Sequence, residues 1–269
     1  MMIIEPIKYI INEHVTNRNM IMQLARENTK KETSRTSLGV FWIYFRDLIY
    51  FGVYIVFRFL MSGGGEIDGM NSIAFVLLGL ISWFFISDVL NKGANAIKAY
   101  RGIIKSIKFP ISTIPTISVF SIFYQRLVVF GVGFLIPVLF GYFNRMNILW
   151  GIYFCICNLI MMVSINLIFS AFVAISGDFH QLYMAISRIL IYILPVIWSY
   201  SKIKDNIYLE FILKLNPMGY VITGFRDALA LGKGPTVEYT IYFWGVTCLI
   251  FYFGCLVQFK LKKYFADFV

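Results

Sequence analysis

Ionisable side chains inside apolar runs are where this sequence could do chemistry, because a charge placed in hydrocarbon is costly and is kept for a reason. Four such residues matter: Asp47, Asp88, Arg58 and Arg126. Asp47 follows Arg46 where an apolar run begins, and Asp88 lies where the next one ends, so pairing or snorkelling accounts for both acids. A proton relay would need acids deeper than these. Arg126 is placed to snorkel inward and Arg58 outward, and each has a competing reading as part of a polar conduit. His14 and His180 are the only imidazoles, and the sequence has no HExxH, GxSxG, Walker A loop or paired metal carboxylates. Cys155, Cys157, Cys248 and Cys255 all fall inside apolar runs with no histidine cluster, as packing thiols do. The expectation is a chain that is not an enzyme and binds neither metal nor cofactor itself.

The elements that must carry these residues are long apolar segments. A bilayer core needs roughly 20 apolar residues in a helix, and six stretches qualify, at 38–61, 72–90, 112–143, 148–176, 184–200 and 236–259. With 59% hydrophobic and 14% charged residues and a mean hydropathy of +0.75, the chain lies far from soluble composition. The third stretch is too long for one span, so its start, with Pro110 and Pro115, is assigned to a cytoplasmic element before a span at 119–142. Six spans and their connections use nearly all 269 residues, which leaves no room for a separate catalytic domain.

Lys and Arg cluster on one side. Six precede the first span, five lie in the 91–111 connection and three in the tail, against none, one and five in the opposite connections. By the positive-inside rule both termini are cytoplasmic. The net charge of +10 therefore reads as attraction to anionic headgroups rather than to nucleic acid. Residues 1–37 form a cytoplasmic amphipathic segment: Ile3, Ile7 and Ile10 recur at helical spacing opposite Glu5, Lys8 and Glu13, as in a helix lying in the headgroup plane. Glycine-rich 62–69 is an outer loop. Residues 201–235 combine the breakers Asn216-Pro217 and Gly232-Lys233-Gly234-Pro235 with a short apolar run, Met218–Leu231, and read as an outer re-entrant hairpin. The expected fold is all-α: a six-span domain over 38–269 with cytoplasmic loops at 91–111 and 177–183.

Aromatics make up 18% of the chain. Trp42, Phe45 and Tyr50, and Trp83, Phe84 and Phe85, form two compact groups that could stack on passing sugar faces, or could simply pack.

Three segments carry a resemblance. RENTKKETSRTSLGVFWIYFRD resembles the entry to the first span in membrane subunits of ABC exporters for polysaccharide, O-antigen and teichoic acid, with Leu38, Gly39 and Trp42 in place. GLISWFFISDVLNKGANAIKAYRGIIKSIKFPISTIPT is similar to that family's second span and cytoplasmic turn, through Trp83, Phe85, Asn95, Lys105, Phe109 and Pro110. NPMGYVITGFRDAL resembles its outer hairpin, through Asn216, Pro217, Phe225, Arg226 and Leu229, with Asp227 beside the arginine. The chain departs from the family pattern at Arg46-Asp47 and at Gly177-Asp178.

The resemblance implies a transport subunit in a bacterial cytoplasmic membrane. It implies a second copy of this chain, two copies of a separate ATPase that holds ATP and Mg, and a lipid-linked glycan or polyol-phosphate polymer as substrate. Arg26, Arg35, Asn95, Lys98, Arg101, Lys105, Asp178 and His180 lie on the segments that would meet the ATPase. A membrane-embedded glycan or lipid transferase would instead gather Asp, Glu or His at one face, and a secondary carrier would show two similar halves; neither pattern is visible.

Overall fold

A computed structural model describes residues 5–34, 39–62, 65–106, 109–203 and 205–261. The chain begins with two amphipathic helices, α1 (Glu5–Thr16) and α2 (Arg18–Thr33), followed by α3 (Val40–Ser62). The glycine-rich stretch expected as a plain loop ends in a two-stranded antiparallel hairpin, β1 (Glu66–Ile67) and β2 (Met70–Asn71). Its tip takes positive φ at both Asp68 (52°) and Gly69 (79°), the conformation a two-residue hairpin turn needs.

Next come α4 (Ser72–Asn91), the short helices α5 (Ala96–Ala99) and α6 (Arg101–Ser106), and α7 (Ile114–Leu139). Then follow α8 (Ile148–Ile175), α9 (Gly177–Ile193), α10 (Ile207–Lys214), α11 (Pro217–Leu231) and α12 (Val237–Leu261).

Among the described residues four helical runs are long and apolar enough to cross a membrane: Ser72–Lys105, Ile111–Leu139, Ile148–Ile175 and Val237–Leu261. At 23 residues α3 reaches roughly 35 Å but carries Arg46, Asp47 and Arg58. At 17 residues α9 reaches only about 26 Å. The multi-pass, all-α character is therefore plain, and these two helices are what separates four spans from the six expected.

Three expected boundaries move. The stretch that follows Pro110 and contains Pro115 is helical from its beginning: Ile111–Leu139 is one helical run, because Pro115 falls in the first turn of α7, where its missing N–H leaves no bond unmade. The 177–183 stretch is helix instead of loop. The Ser176 side chain accepts from Phe179 N (3.4 Å) and Asp178 lies in the first turn, so Ser176 alone separates α8 from α9. At its other end α9 stops at Ile193, not 200, because Pro195 holds Leu194 extended (φ −78°, ψ 150°).

The 201–235 stretch folds as a helix pair with side-chain caps. Asn206 accepts from Leu209 N (3.1 Å) to start α10, and Asn216 from Met218 N (3.0 Å) to start α11, with Pro217 at the first helical position. Gly232, at φ 69°, closes α11.

The core lies where α4, α7, α8 and α11 meet, and α4 is buried around most of its circumference. Close approach depends on small residues: a Cβ at Gly79 would overlap the Val196 carbonyl, and one at Gly224 the Phe154 ring. A second cluster, with Ile21 and Ala25 of α2 against Ile97, Ile114, Ile117 and Ala174, closes the end of the bundle beside the N-terminal helices. The N-terminal helices are therefore docked on protein along one face. Tyr9 of α1 packs edge-on against Phe259 of α12 (5.5 Å) and His14 bonds Thr116 (2.8 Å), while Ile11 and Val15 remain exposed.

Candidate functional site

The polar centre of the bundle is one guanidinium. Arg126, on α7, is 1% exposed, so it does not snorkel. Its Nε and Nη2 donate to Asp88 Oδ2 of α4 (3.0 and 2.6 Å), and Nη1 donates to Asp47 Oδ2 of α3. Arg46 adds Nη2 to the other oxygen of Asp88 at 3.2 Å. Two buried acids and two arginines thus balance, which removes the cost that either acid alone would carry. Sequence placed Asp47 beside Arg46; that a third helix brings Arg126 to both acids has no local signal.

Beside this network lies a cavity of about 440 Å³. Arg46, Asp47, Tyr50 and Tyr54 line it from α3; Trp83, Phe84, Ser87, Asp88 and Asn91 from α4; and Ser187, Arg188 and Tyr192 from α9, with Lys92 and Arg126 completing the wall. Four cations face two acids there. Lys92 is also joined to Glu32 of α2 (3.5 Å). Among the described residues no acid lies within ion-pair distance of Arg188. The arrangement is a net-positive, aromatic-walled chamber between helices, suited to holding an anionic group and stacking on flat apolar faces.

The expected conduit residues divide. Tyr50, Trp83, Phe84 and Arg126 line the chamber. Trp42 (53% exposed) and Phe45 sit with Phe41 in an aromatic group on the outer face of α3. Phe85 is fully buried behind the chamber, against Phe123 and Phe130. Arg58 is half-buried, with its Nε unpartnered, and does not reach the chamber. Arg188, Ser187, Asn91 and Tyr192 were missed by the sequence reading; an arginine at 188 inside an otherwise apolar run was the one signal available.

The coupling residues divide too. Arg26, Lys98, Arg101, Lys105 and Asp178 are exposed, as a contact surface requires. Asn95 and His180 are instead half-buried and joined, Asn95 Nδ2 donating to His180 Nε2 at 2.7 Å. One helical stretch away, Ser187 Oγ donates to Asn91 Oδ1 (3.3 Å), so the α4 end grips α9 at two points. Arg35 lies outside the described residues, as does Leu38.

At the far end, Arg226 is buried. It donates to the Pro195 carbonyl (3.1 Å), stands 3.5 Å over the Phe75 ring, and has Asp227 at 4.0 Å. Asp227 accepts the Gly232 and Lys233 amides on its carbonyl, closing α11. Phe225 packs edge-on against Phe130 and Phe134. Asn216 and Pro217 start the helix, as described. The hairpin residues thus hold the fold together, and the acid nearest Arg226 is its neighbour Asp227.

Long apolar helices around a charged, aromatic-walled chamber describe a multi-pass membrane protein. The chain belongs to the ABC-2 type transporter family, whose model matches residues 20–230. It is also 20% identical over 262 residues, 96% of this chain and 98% of the other, to the O-antigen export system permease protein RfbA of Myxococcus xanthus. This agrees with the resemblance in the three segments above and makes the chain the transmembrane subunit of an ABC exporter, working with an ABC ATPase subunit.

Proposed function

We propose that this chain exports a lipid-linked polysaccharide or a teichoic-acid-type polymer across a bacterial cytoplasmic membrane. Two copies pair around a central conduit, and two separate ATPase subunits bind ATP and Mg and drive the cycle. In this reading α3 and α9 cross the membrane with the four longer helical runs, α10 and α11 form the outer hairpin, and both termini face the cytoplasm.

The single observation that carries this reading is the end-to-end match to an O-antigen permease in a chain whose chamber combines cations with aromatic walls. A polymer with a charged, lipid-anchored end needs both: cations for the anionic end, and ring faces that hold sugars without fixing register. Tyr50, Trp83, Phe84 and Arg126 in the chamber, with Trp42 and Phe45 on the outer face of α3, are the conduit residues of this proposal. Arg26, Arg35, Lys98, Arg101, Lys105 and Asp178 form its ATPase surface, and Asn95 and His180 carry force from that surface into the bundle.

The test is reconstitution. The chain and its partner ABC ATPase, placed in proteoliposomes, should move a lipid-linked glycan in an ATP-dependent manner. ATP hydrolysis unaffected by any lipid-linked glycan or polyol phosphate, with no polymer moved, would sink the proposal. The variant Asp178→Arg should insert normally yet lose export while ATP hydrolysis continues.

A further inference from the structure

We infer that Glu32 is the positioning residue through which a displacement of α2 reaches the ion joint of the bundle, by way of the Gln125 side chain, and so sets α3 without touching substrate. It deepens the export reading and rests on it for one point, that the exposed face of α2 meets the ATPase.

Three observations converge on Glu32. The first is that α2 has two faces with different partners. Arg26, Glu27 and Lys30 are exposed. On the face turned inward, Ile21 and Ala25 are buried, and Thr29 and Glu32 continue the stripe at the spacing of three and four residues that keeps side chains together on a helix. Thr29 Oγ1 donates to the Ser121 carbonyl of α7 (3.1 Å), and one turn further along both helices Glu32 Oε2 accepts from Gln125 Nε2 (2.8 Å).

The second is that Glu32 straddles α4 and α7, as Arg126 does one step deeper. The same Oε2 faces Lys92 Nζ at 3.5 Å. Lys92 caps α4 with its amide on the Asp88 carbonyl (2.8 Å). Gln125 precedes Arg126 in the chain, and its own carbonyl accepts the Tyr44 hydroxyl of α3 (3.0 Å). One carboxylate oxygen is therefore a single residue away from Asp88 on α4, from Arg126 on α7 and from Tyr44 on α3.

The third is what kind of contact this is. Apolar packing is non-directional, so the Ile21 and Ala25 contacts alone let α2 slide on α7; a hydrogen bond weakens steeply with misalignment and fixes register. Gln125 is 3% exposed, and among the described residues its Oε1 has no partner, so Glu32 is what holds this buried amide. Losing that bond strands a buried donor, whereas the Lys92 pair, 38% exposed on the lysine side, is of the kind that contributes little by itself. A pull on the last turn of α2 is therefore delivered to Gln125, beside the residue that joins α3, α4 and α7.

The first arm of the test uses the full-length chain alone, in nanodiscs, and reads amide exchange. Glu32→Ala should speed exchange at 41–48 of α3 about tenfold, and should leave 18–29 of α2 and Ile148–Ile175 as in wild type. Glu32→Gln keeps an acceptor for the Gln125 amide and should stay close to wild type. The second arm adds the partner ATPase. Glu32→Ala and Gln125→Leu should each keep ATP hydrolysis and lower export per ATP by about tenfold, and the double variant should be no worse than either. Melting profiles of the same samples separate these losses from unfolding.

Unchanged exchange at 41–48 in Glu32→Ala would overturn the link. Faster exchange across 18–29 as well would make Glu32 a docking residue and overturn it as a transmitter. So would additive losses in the double variant, or export per ATP that Glu32→Ala does not alter. The exchange arm needs neither ATP nor transport. Faster exchange at 41–48 in a complex that moves no polymer would remove the export reading and leave the link standing; intact export with unchanged exchange would remove the link alone.

Discussion

Arg126 places Nε and Nη2 on the same oxygen, Asp88 Oδ2, at 3.0 and 2.6 Å, and so keeps Nη1 for Asp47. One side chain thereby joins α3, α4 and α7. Among the described residues this joint and the Tyr44 hydroxyl on the Gln125 carbonyl (3.0 Å) tie α3 to α7.

Breaking the joint should cost more than removing it. Arg126→Met leaves two buried carboxylates with Arg46 alone and should destabilise by about 3–5 kcal/mol. The triple variant Asp47→Asn, Asp88→Asn, Arg126→Met should recover most of that loss. Thermal unfolding in detergent measures both, and a triple variant no more stable than R126M would contradict the account.

The Asn95–His180 bond should behave as a coupled pair. Asn95→Ala and His180→Ala should each lower export per ATP hydrolysed, and the double variant should be little worse than either. In a double-mutant cycle on stability the expected coupling is about 0.5–1.5 kcal/mol. Strict additivity would mean that the two residues act separately.

His14 makes the docking of α1 sensitive to pH. Its Nδ1 faces the Ile10 carbonyl (2.8 Å), which can only accept, so Nδ1 carries the proton and Nε2 takes the Thr116 hydroxyl. Burial holds the imidazole below its ordinary pKa. A depressed folded-state value means that the folded form binds the proton less readily than the unfolded form. The stabilisation is therefore present above about pH 6.5 and is lost as pH falls through the folded value. Amide exchange in Glu5–Thr16 should rise between pH 7.5 and 5.5, and His14→Gln should remove that dependence.

The aromatic groups should separate by burial. Phe85→Ala, in the core, should cost about 3–5 kcal/mol. Trp42→Leu with Phe45→Leu should leave the melting temperature nearly unchanged, since both rings lie outside the bundle. Any loss of export in that double variant, at equal protein level, would then report contact with substrate, ATPase or a second copy. Unchanged export would return both rings to lipid contact.

Topology is open to thiol labelling. In a background lacking the native cysteines, Ser201→Cys and Lys233→Cys should react with a membrane-impermeant reagent from outside. Lys98→Cys and Lys262→Cys should react only after permeabilisation. Outside labelling at position 98 would invert the orientation and remove every cytoplasmic surface assigned above.

Sequence by itself determined the class of fold and most of its punctuation. Apolar length marks the four long helical runs, because backbone amides in hydrocarbon must be satisfied within the helix. Asn216-Pro217 and Gly232 bracket α11 because capping and positive φ depend on residue type alone. Tertiary structure decided the rest. Arg126 meets acids 38 and 79 residues away, so whether it snorkels or pairs depends on which helices stand beside α7. Trp42 and Trp83 look alike in sequence, yet one is exposed and the other buried, because α4 is enclosed by α3, α7, α8, α9 and α11 while α3 leans mainly on α4. In a helix that is apolar on every side, composition marks no inner face. The chamber and Arg188 follow from the same cause: they exist only where three helices from distant parts of the chain leave a gap that their charged residues share.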